Sequence, residues 1–465
     1  MPDPQPLSNR QRKIRERQAE RNRELAAAKR AETRTPFREA ELVYVSRHPP
    51  PDYSTALDFR QPAEVLLKDA KIQRIPLRKR MCEFSELFGL QEQQEDGPTG
   101  GKETLEQQQP CEFAYLHEDH PGLIYIPAAF TPSAQRTLIK ACLNKYSKRP
   151  NKSSLDTHYL VPDNGIWDLH EGVFTGKRSL DDSEVYVQRK AAADEHAEGY
   201  GSDDDDEEDE DNSSNSGSTK ATSTSSSSQP TPKKPKTSSP QHSVRTLVPI
   251  IDGTPSVPDN VSKEDPEPSA QVPILPPAQL LRKMRWITLG YQYHWPSKTY
   301  HFDQNAPFPT ELAILSKAVV EAVEGVGPYP YSADDFVAEA GVINYYQLKD
   351  RLMGHVDRSE LNKDAPLVSF SFGHSCIYLL GGPTREKSPT PILLQSGDIL
   401  VMTGPCRAAF HGVPRIIEDS LPSYLQSQPE DPEWEIYADY LSEARINLNI
   451  RQVYPPKHSS SSQVS

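Results

Sequence analysis

The 465-residue sequence has few cysteines and no long apolar run. Its five cysteines are scattered and form no C-x-x-C pair, which argues against a disulfide framework and a zinc ribbon and favours a reducing compartment. No stretch approaches the roughly 20 apolar residues that cross a bilayer, and the N-terminus lacks the apolar core of a signal peptide. We therefore expect an intracellular protein without a membrane partner.

Apolar residues are also scarce, at 35% of the chain, whereas prolines number 44. With a mean hydropathy of -0.70, this composition predicts that much of the chain does not pack. The net charge of -14 would disfavour a nucleic-acid partner if it were evenly spread, but the nine acidic residues at 203–211 supply more than half of it. The remainder is nearly balanced, so nucleic acid is not excluded.

Changes in composition divide the chain into one folded domain with additions. We predict a basic helical or disordered arm at 1–40, a partly ordered extension at 41–118, the domain at 119–453 and a disordered tail at 454–465. Residues 181–277 combine an acidic run, a Ser/Thr tract and repeated prolines. Such a segment buries too little apolar surface to offset its ordering entropy, which predicts a disordered insertion within the domain.

The charged segments of the arm and the insertion could have several roles. The arm either grips phosphate backbones or only keeps the chain in solution. The acidic block either solvates its segment or holds a basic partner such as a histone. The Lys/Pro cluster at 232–236 has the composition of a nuclear import signal, so we expect the protein in the nucleus or the cytoplasm. A mitochondrial location and the oligomeric state are left open.

Short, closely spaced β runs dominate the predicted domain. This pattern is typical of a mainly β (α+β) fold with a jelly-roll or cupin-like core and flanking helices. The predicted strands are 122–127, 285–293, 340–346, 367–372, 375–380, 392–394, 397–403 and 444–453, and the predicted helices are 131–146, 277–284 and 310–323.

A His-x-Asp pair and a distant second histidine are the first chemical signal. In a strand, residues two apart point to the same side, so His355 and Asp357 can present a nitrogen and an oxygen to one point, and His411 can complete a face. Such a 2-His-1-carboxylate face leaves iron positions open for a chelating cosubstrate and O2, whereas zinc prefers a more closed set. Alone, a His-x-Asp pair is more often a surface hydrogen bond.

The strand at 445–451 is the second signal. Its polar face carries Arg445, Asn447, Asn449 and Arg451, between apolar residues that pack. The two arginines lie roughly 20 Å apart along a fully extended strand, so they suit opposite ends of an elongated acid or its surroundings. The alternative without a binding role is an edge strand whose arginines are exposed to water. Asn344 and Tyr346, spaced two apart on an earlier strand, are further hydrogen-bonding candidates or ordinary core-edge polar residues.

Together these motifs resemble the AlkB family of Fe(II)/2-oxoglutarate dioxygenases. The resemblance runs from about residue 122 to 453 and is most specific at His-Val-Asp-Arg-Ser-Glu-Leu (355–361) and Arg-Trp-Ile-Thr-Leu-Gly-Tyr-Gln-Tyr (285–293). These two segments are most similar to the first eukaryotic homologues, here in a fungal-type form with an insertion. Bacterial AlkB enzymes carry an acidic residue two positions after the ligand aspartate. This chain has Ser359 there, which argues against the bacterial base preference.

The resemblance implies a double-stranded β-helix that holds Fe(II) through His355, Asp357 and His411. It also implies a 2-oxoglutarate site formed by Arg445, Arg451, Asn344, Tyr346 and Asn447. Substrate-binding residues are implied at Tyr291, in a lid over the substrate base, and at Trp286 nearby.

The implied activity is oxidative demethylation of N-methylated bases in tRNA or DNA, which consumes O2 and releases formaldehyde, succinate and CO2. This activity belongs to tRNA modification or DNA repair. The alternatives are a histone demethylase or hydroxylase that uses the same site, and a catalytically silent nucleic-acid-binding scaffold.

Overall fold

Two antiparallel sheets form the β structure of this computed structural model, which describes residues 34–78, 112–191, 267–269, 271–295 and 297–456. The strands are β1 (Ile72–Pro76), β2 (Phe113–His117), β3 (Leu123–Ile126), β4 (Lys152–Ser153), β5 (Trp286–His294), β6 (Thr299–Asn305), β7 (Ala340–Gln347), β8 (Leu352–His355), β9 (Leu367–Gly373), β10 (Cys376–Leu380), β11 (Thr390–Leu394), β12 (Ile399–Met402), β13 (His411–Ile416) and β14 (Ala444–Arg451).

The last eight strands are divided equally between the two sheets. The larger sheet has the order β1-β2-β3-β12-β9-β14-β7-β5-β4, with β6 paired to β5, and the smaller sheet has the order β11-β10-β13-β8. Along the chain, β7, β9, β12 and β14 lie in the larger sheet, and β8, β10, β11 and β13 lie in the smaller one. Side chains of both sheets meet in one apolar cluster that includes Leu400 and Ile392. This division of eight strands into two four-stranded layers is that of a double-stranded β-helix, as expected.

Seven α-helices flank the sheets in the described part of the chain. They are α1 (Pro36–Val45), α2 (Ala63–Leu66), α3 (Pro132–Lys140), α4 (Gly165–Phe174), α5 (Pro277–Leu281), α6 (Thr310–Val323) and α7 (Glu435–Leu441). The apolar face of α6, with Leu312 and Leu315, joins the same core as Ile446 and Leu448 of β14. None of the helices in the described ranges is long and apolar enough to span a membrane.

A buried carboxylate holds the N-terminal extension to the barrel. Asp398, fully buried before β12, accepts hydrogen bonds from the Arg60 guanidinium at 2.7 and 2.9 Å and from the Tyr125 hydroxyl. The backbone N–H groups of Ala128 and Gln395 also donate to it. Because a buried charge is costly unless it is paired, this network fixes residues around Arg60 against the domain.

The structure departs from the expected elements at both ends of the insertion. Val185 and Val187 are buried, and the Tyr159 hydroxyl donates to the carbonyl of Pro273 at 2.7 Å. The insertion predicted at 181–277 is therefore too long, because these apolar side chains pack on the domain. The central part, 192–266, lies outside the described residues, as do the tail from 457 and the arm up to 33; the domain limits there stay predictions. Helix α1 crosses the boundary placed at residue 40.

Three of the five cysteines fall in the described ranges. Cys142, Cys376 and Cys406 are buried free thiols, consistent with the expectation of no disulfide framework among them.

Candidate metal centre

The three residues of the expected ligand set come together at the end of β8 and the start of β13. One nitrogen of His355, one carboxylate oxygen of Asp357 and one nitrogen of His411 all lie within 4.8 Å of one another. His355 is the last residue of β8 and pairs in register with His411. Asp357 lies beyond β8, so the two-residue strand spacing used in the sequence analysis is not the reason it faces His355: the loop after β8 turns it inward.

Backbone carbonyls orient both imidazoles. Nδ1 of His355 lies 2.9 Å from the carbonyl of Met353, and Nδ1 of His411 lies 3.1 Å from that of Ala409. A carbonyl can only accept, so each Nδ1 carries the proton and each Nε2 is left with a free lone pair. These Nε2 atoms lie 3.9 and 3.8 Å from the Asp357 oxygens, too far for direct hydrogen bonds. Three electron-pair donors thus face one point.

Electrostatics keeps His411 and Asp357 unprotonated near neutral pH. Burial, together with the neighbouring His355, lowers the pKa of His411 to about 4. Burial alone would raise the pKa of Asp357, but Arg451, His411 and His355 hold it well below its usual range. His355 is the open side of the group, with 36% of its side chain exposed against 10% for His411.

Arg451, at the end of β14, connects the donor group to a second buried acid. Its guanidinium donates to Asp357 at 2.9 Å and to Glu360 at 3.0 Å. Glu360 is 1% exposed and also accepts from Arg407 at 3.1 Å and from the Tyr300 hydroxyl at 2.9 Å. The arginine is therefore held in place from two sides.

Arg445, six residues earlier on the same face of β14, is in a different environment. It is 1% exposed and donates to neutral groups, the Ser371 hydroxyl at 2.8 Å and the His374 carbonyl at 3.0 Å. Among the described residues no carboxylate lies within ion-pair distance of it, and its Nε atom has no hydrogen-bond partner. Because a buried cation without an anion is costly, this pocket suits a carboxylate supplied by a ligand.

The other polar candidates line the face between the two arginines. Asn447 pairs in register with Asn344, and Arg445 pairs with Tyr346. The Asn447 amide donates to the Ser369 hydroxyl at 2.8 Å. The apolar residues that alternate with them, Ile446, Leu448 and Ile450, pack in the hydrophobic core on the other face of β14. This excludes the alternative of an edge strand with its arginines in water.

An aromatic hairpin formed by β5 and β6 stands beside this face. Trp286 pairs in register with Asn344, and its ring lies 5.2 Å from that of Trp295, which is 41% exposed. Tyr291 makes edge contacts with Phe302 at 6.1 Å and Tyr454 at 5.4 Å. Trp286 and Tyr291 thus lie on the hairpin but do not contact each other directly.

Ser359 ties the hairpin to the loop that carries Asp357. Its hydroxyl donates to the carbonyl of Lys298 at 2.8 Å and lies 3.2 Å from the Tyr293 hydroxyl. The position that is acidic in bacterial AlkB enzymes thus has a structural role here.

Comparison with known proteins agrees with this site. Residues 255–451 match the 2OG-Fe(II) oxygenase superfamily. The mouse protein "Nucleic acid dioxygenase ALKBH1" is 32% identical over 73% of this chain and 66% of its own length. The Schizosaccharomyces pombe "tRNA demethylase abh1" is 39% identical over 38% of this chain and 55% of its own. The Cryphonectria parasitica "N6-methyladenosine RNA demethylase ALKBH" is 31% identical over 42% of this chain and 88% of its own.

The chain belongs to the AlkB-like family of 2OG-Fe(II) oxygenases. It spans between about half and two thirds of the length of the mouse and fission-yeast relatives. The cofactor set expected from the sequence, Fe(II) with 2-oxoglutarate and O2 as cosubstrates, is that of this superfamily.

The residues of this AlkB-like chain fit that cofactor set. Two imidazoles with free Nε2 lone pairs and one carboxylate match the facial triad of non-haem iron oxygenases. The uncompensated guanidinium of Arg445 fits one carboxylate of a dicarboxylic acid, with its orphan Nε as a further donor.

Two residues of the AlkB-like site were not predicted from the sequence. Glu360 anchors Arg451, and Tyr378 stacks on the His411 ring at 5.8 Å. An acidic residue three positions after the ligand aspartate is a usable signal for Glu360. Tyr378 lies inside an apolar run, and only the pairing of β10 with β13 brings it to His411.

Proposed function

We propose that this protein removes methyl groups from ring or exocyclic nitrogens of bases in nucleic acid, with tRNA and DNA as substrate classes. The overall reaction converts an N-methyl group, 2-oxoglutarate and O2 into the N–H form of the base, formaldehyde, succinate and CO2. The observation that supports it best is the convergence of His355, Asp357 and His411 beside a buried guanidinium that lacks an anion.

In this proposal each part of the chain has a defined task. His355, Asp357 and His411 would hold Fe(II), which would activate O2 with electrons from 2-oxoglutarate for oxidation of the methyl C–H bond. Arg445 would bind the distal carboxylate of the cosubstrate. Arg451 keeps Asp357 ionised and oriented, since it donates to that carboxylate at 2.9 Å. The barrel walls exclude water, which protects the reaction from side products.

The aromatic hairpin supports a base as substrate. Flipped bases are commonly held by stacking on aromatic side chains, and Tyr291, Trp286 and the exposed Trp295 offer ring faces and edges on β5 and the turn that follows it. The names of the relatives, a nucleic acid dioxygenase, a tRNA demethylase and an N6-methyladenosine RNA demethylase, point to the same substrate class.

The test is mass spectrometry of methylated RNA, methylated single-stranded DNA and methylated histone peptides after incubation with the full chain, Fe(II) and 2-oxoglutarate. We expect loss of one methyl group from nucleic acid and release of formaldehyde. Asp357→Ala should abolish turnover, whereas Asp364→Ala, the same change at an exposed position seven residues later, should not.

Two results would overturn the proposal. Turnover of histone peptides alone would assign the site to a protein substrate, with the acidic block at 203–211 as the natural holder of a basic partner. Unchanged activity of Asp357→Ala would remove the metal role of that carboxylate, on which the proposed chemistry depends.

A further inference from the structure

Helix α1 packs against β8, the strand that ends at the metal-ligand candidate His355. Strand β8 is the edge of the smaller sheet and pairs only with β13 there. Edge strands leave backbone groups without sheet partners, and proteins cover such edges with helices or loops. Residues 36–45 are that cover here, although the sequence alone placed half of them in a solvated arm.

The contact centres on Gly354, one residue before His355. The Glu41 carboxylate, 4% exposed, accepts a hydrogen bond from the Gly354 N–H at 2.5 Å, and Arg385 donates to the Gly354 carbonyl at 3.0 Å. The Phe37 ring covers the same residue so closely that a Cβ at Gly354 would lie 2.4 Å from it. Helix α1 therefore fixes this residue through both a polar and an apolar contact.

Glu41 reaches the imidazole through a single peptide unit. The N–H of Gly354 and the carbonyl of Met353 belong to the same planar peptide. The carbonyl end is the group that lies 2.9 Å from Nδ1 of His355. The chain of contacts runs from the Glu41 carboxylate through this peptide to His355.

This connection has two physical effects on His355. An anion at the N–H end polarises the peptide, and hydrogen bonds in such a chain strengthen one another, so the carbonyl becomes a better acceptor for Nδ1–H. The fixed plane of the peptide also fixes the ring. Metal-binding histidines are commonly oriented and made more basic in this way by a carboxylate or carbonyl on their other nitrogen.

We propose that Glu41 is a positioning residue that orients His355 for metal binding through the peptide between Met353 and Gly354. The proposal rests on the metal role of His355 and extends it to helix α1. By linkage, if docking of α1 raises the affinity for metal, then metal must stabilise the docking of α1 by the same factor.

The first measurement is titration of the full-length apoprotein with Co(II), followed by its visible d–d bands. Glu41→Leu removes the acceptor at similar size, and we expect about tenfold weaker Co(II) binding and a changed band pattern. Glu41→Gln keeps an oxygen that can accept from Gly354, so it should restore most of the affinity. Glu39→Leu and Glu39→Gln make the same changes at an exposed position of the same helix and should match the wild type.

The second measurement is hydrogen exchange of the wild-type chain with and without Co(II). Reciprocity predicts that amides of α1 and of Gly354 exchange about tenfold more slowly with metal bound. This second measurement uses only the wild-type chain, so it tests the proposal even if Glu41→Leu does not fold.

Unchanged α1 exchange on metal binding, or wild-type affinity and spectrum in a folded Glu41→Leu variant, would overturn the positioning role and leave the demethylase proposal intact. Failure of the wild type to bind Co(II) would overturn both.

Discussion

At the scale of single residues, the two arginines of the site differ in whether a carboxylate of the protein balances their charge. Arg451 forms ion pairs with Asp357 and Glu360, so its charge is balanced by the protein itself. Arg445 is buried among neutral partners. This contrast suits a cosubstrate that meets its strongest protein contact at the end far from the metal.

We expect substitution of Tyr291 to separate substrate binding from cosubstrate chemistry. It lies on the hairpin, where its ring neighbours are Phe302 and Tyr454. Because a base–aromatic stack contributes about 1–3 kcal/mol, Tyr291→Ala should weaken turnover of methylated nucleic acid by roughly tenfold or more. Succinate formation in the absence of substrate should stay close to that of the wild type.

The comparison needs two assays on the same preparations, formaldehyde release with methylated RNA and succinate release without it. Tyr291→Phe retains the ring and should behave nearly as the wild type. An equal fall of both activities in Tyr291→Ala would mean that the side chain supports the barrel rather than the substrate.

At the scale of elements, the sequence predicts those helices and strands whose residues follow a local pattern of apolar spacing. Helix α6 follows from the spacing of Leu312, Leu315, Val319 and Val323, and its bounds agree with the expected 310–323. The alternation of β14 predicts which face packs and which lines the site, and the structure has that arrangement.

Elements defined by their neighbours were not predictable in the same way. Strand β13 contains glycine and proline, and it exists because β10 and β8 pair with it on either side. Strand β6 carries mainly polar residues and is held by β5 alone. Helix α1 has a short apolar face whose partner, Gly354, lies more than 300 residues away in the chain. Long-range contacts of this kind leave no periodic signal in the sequence.

Gly290 allows the aromatic hairpin to lie close to the backbone of Glu339. Its φ is +69°, and a Cβ there would lie 2.0 Å from the carbonyl oxygen of Glu339. Gly290→Ala should therefore shift β5, reduce demethylation and destabilise the fold by more than the roughly 1–3 kcal/mol of backbone strain alone.

Gly325→Ala provides the matched control for this prediction. Gly325 has a similar φ of +78°, but a Cβ there meets nothing within 4 Å. Urea unfolding of the two variants, with demethylation assays, separates backbone strain from the clash. Equal stability and equal activity would show that the close approach of β5 to Glu339 is not required.

At the scale of the whole molecule, charge is divided between the folded part and the segments around it. The nine acidic residues at 203–211 and the Lys/Pro cluster at 232–236 lie in the same predicted insertion, outside the described residues. Both ends of that insertion return to the domain, at Val185 and at Pro273. From the composition of this segment alone, we expect it to serve location rather than catalysis.

Replacing Lys233, Lys234 and Lys236 by alanine tests that assignment. If the cluster is a nuclear import signal, a fluorescent fusion of the full chain should move from the nucleus to the cytoplasm by several-fold in intensity ratio, because import receptors read the positive charges of such clusters. Demethylation by the purified variant should be unchanged. Alanine at Lys13, Arg15 and Arg17 removes the same number of charges from the N-terminal arm and should leave the distribution as it is. A wild-type distribution for the first variant, or redistribution by the second alone, would assign localisation to the arm or to another segment.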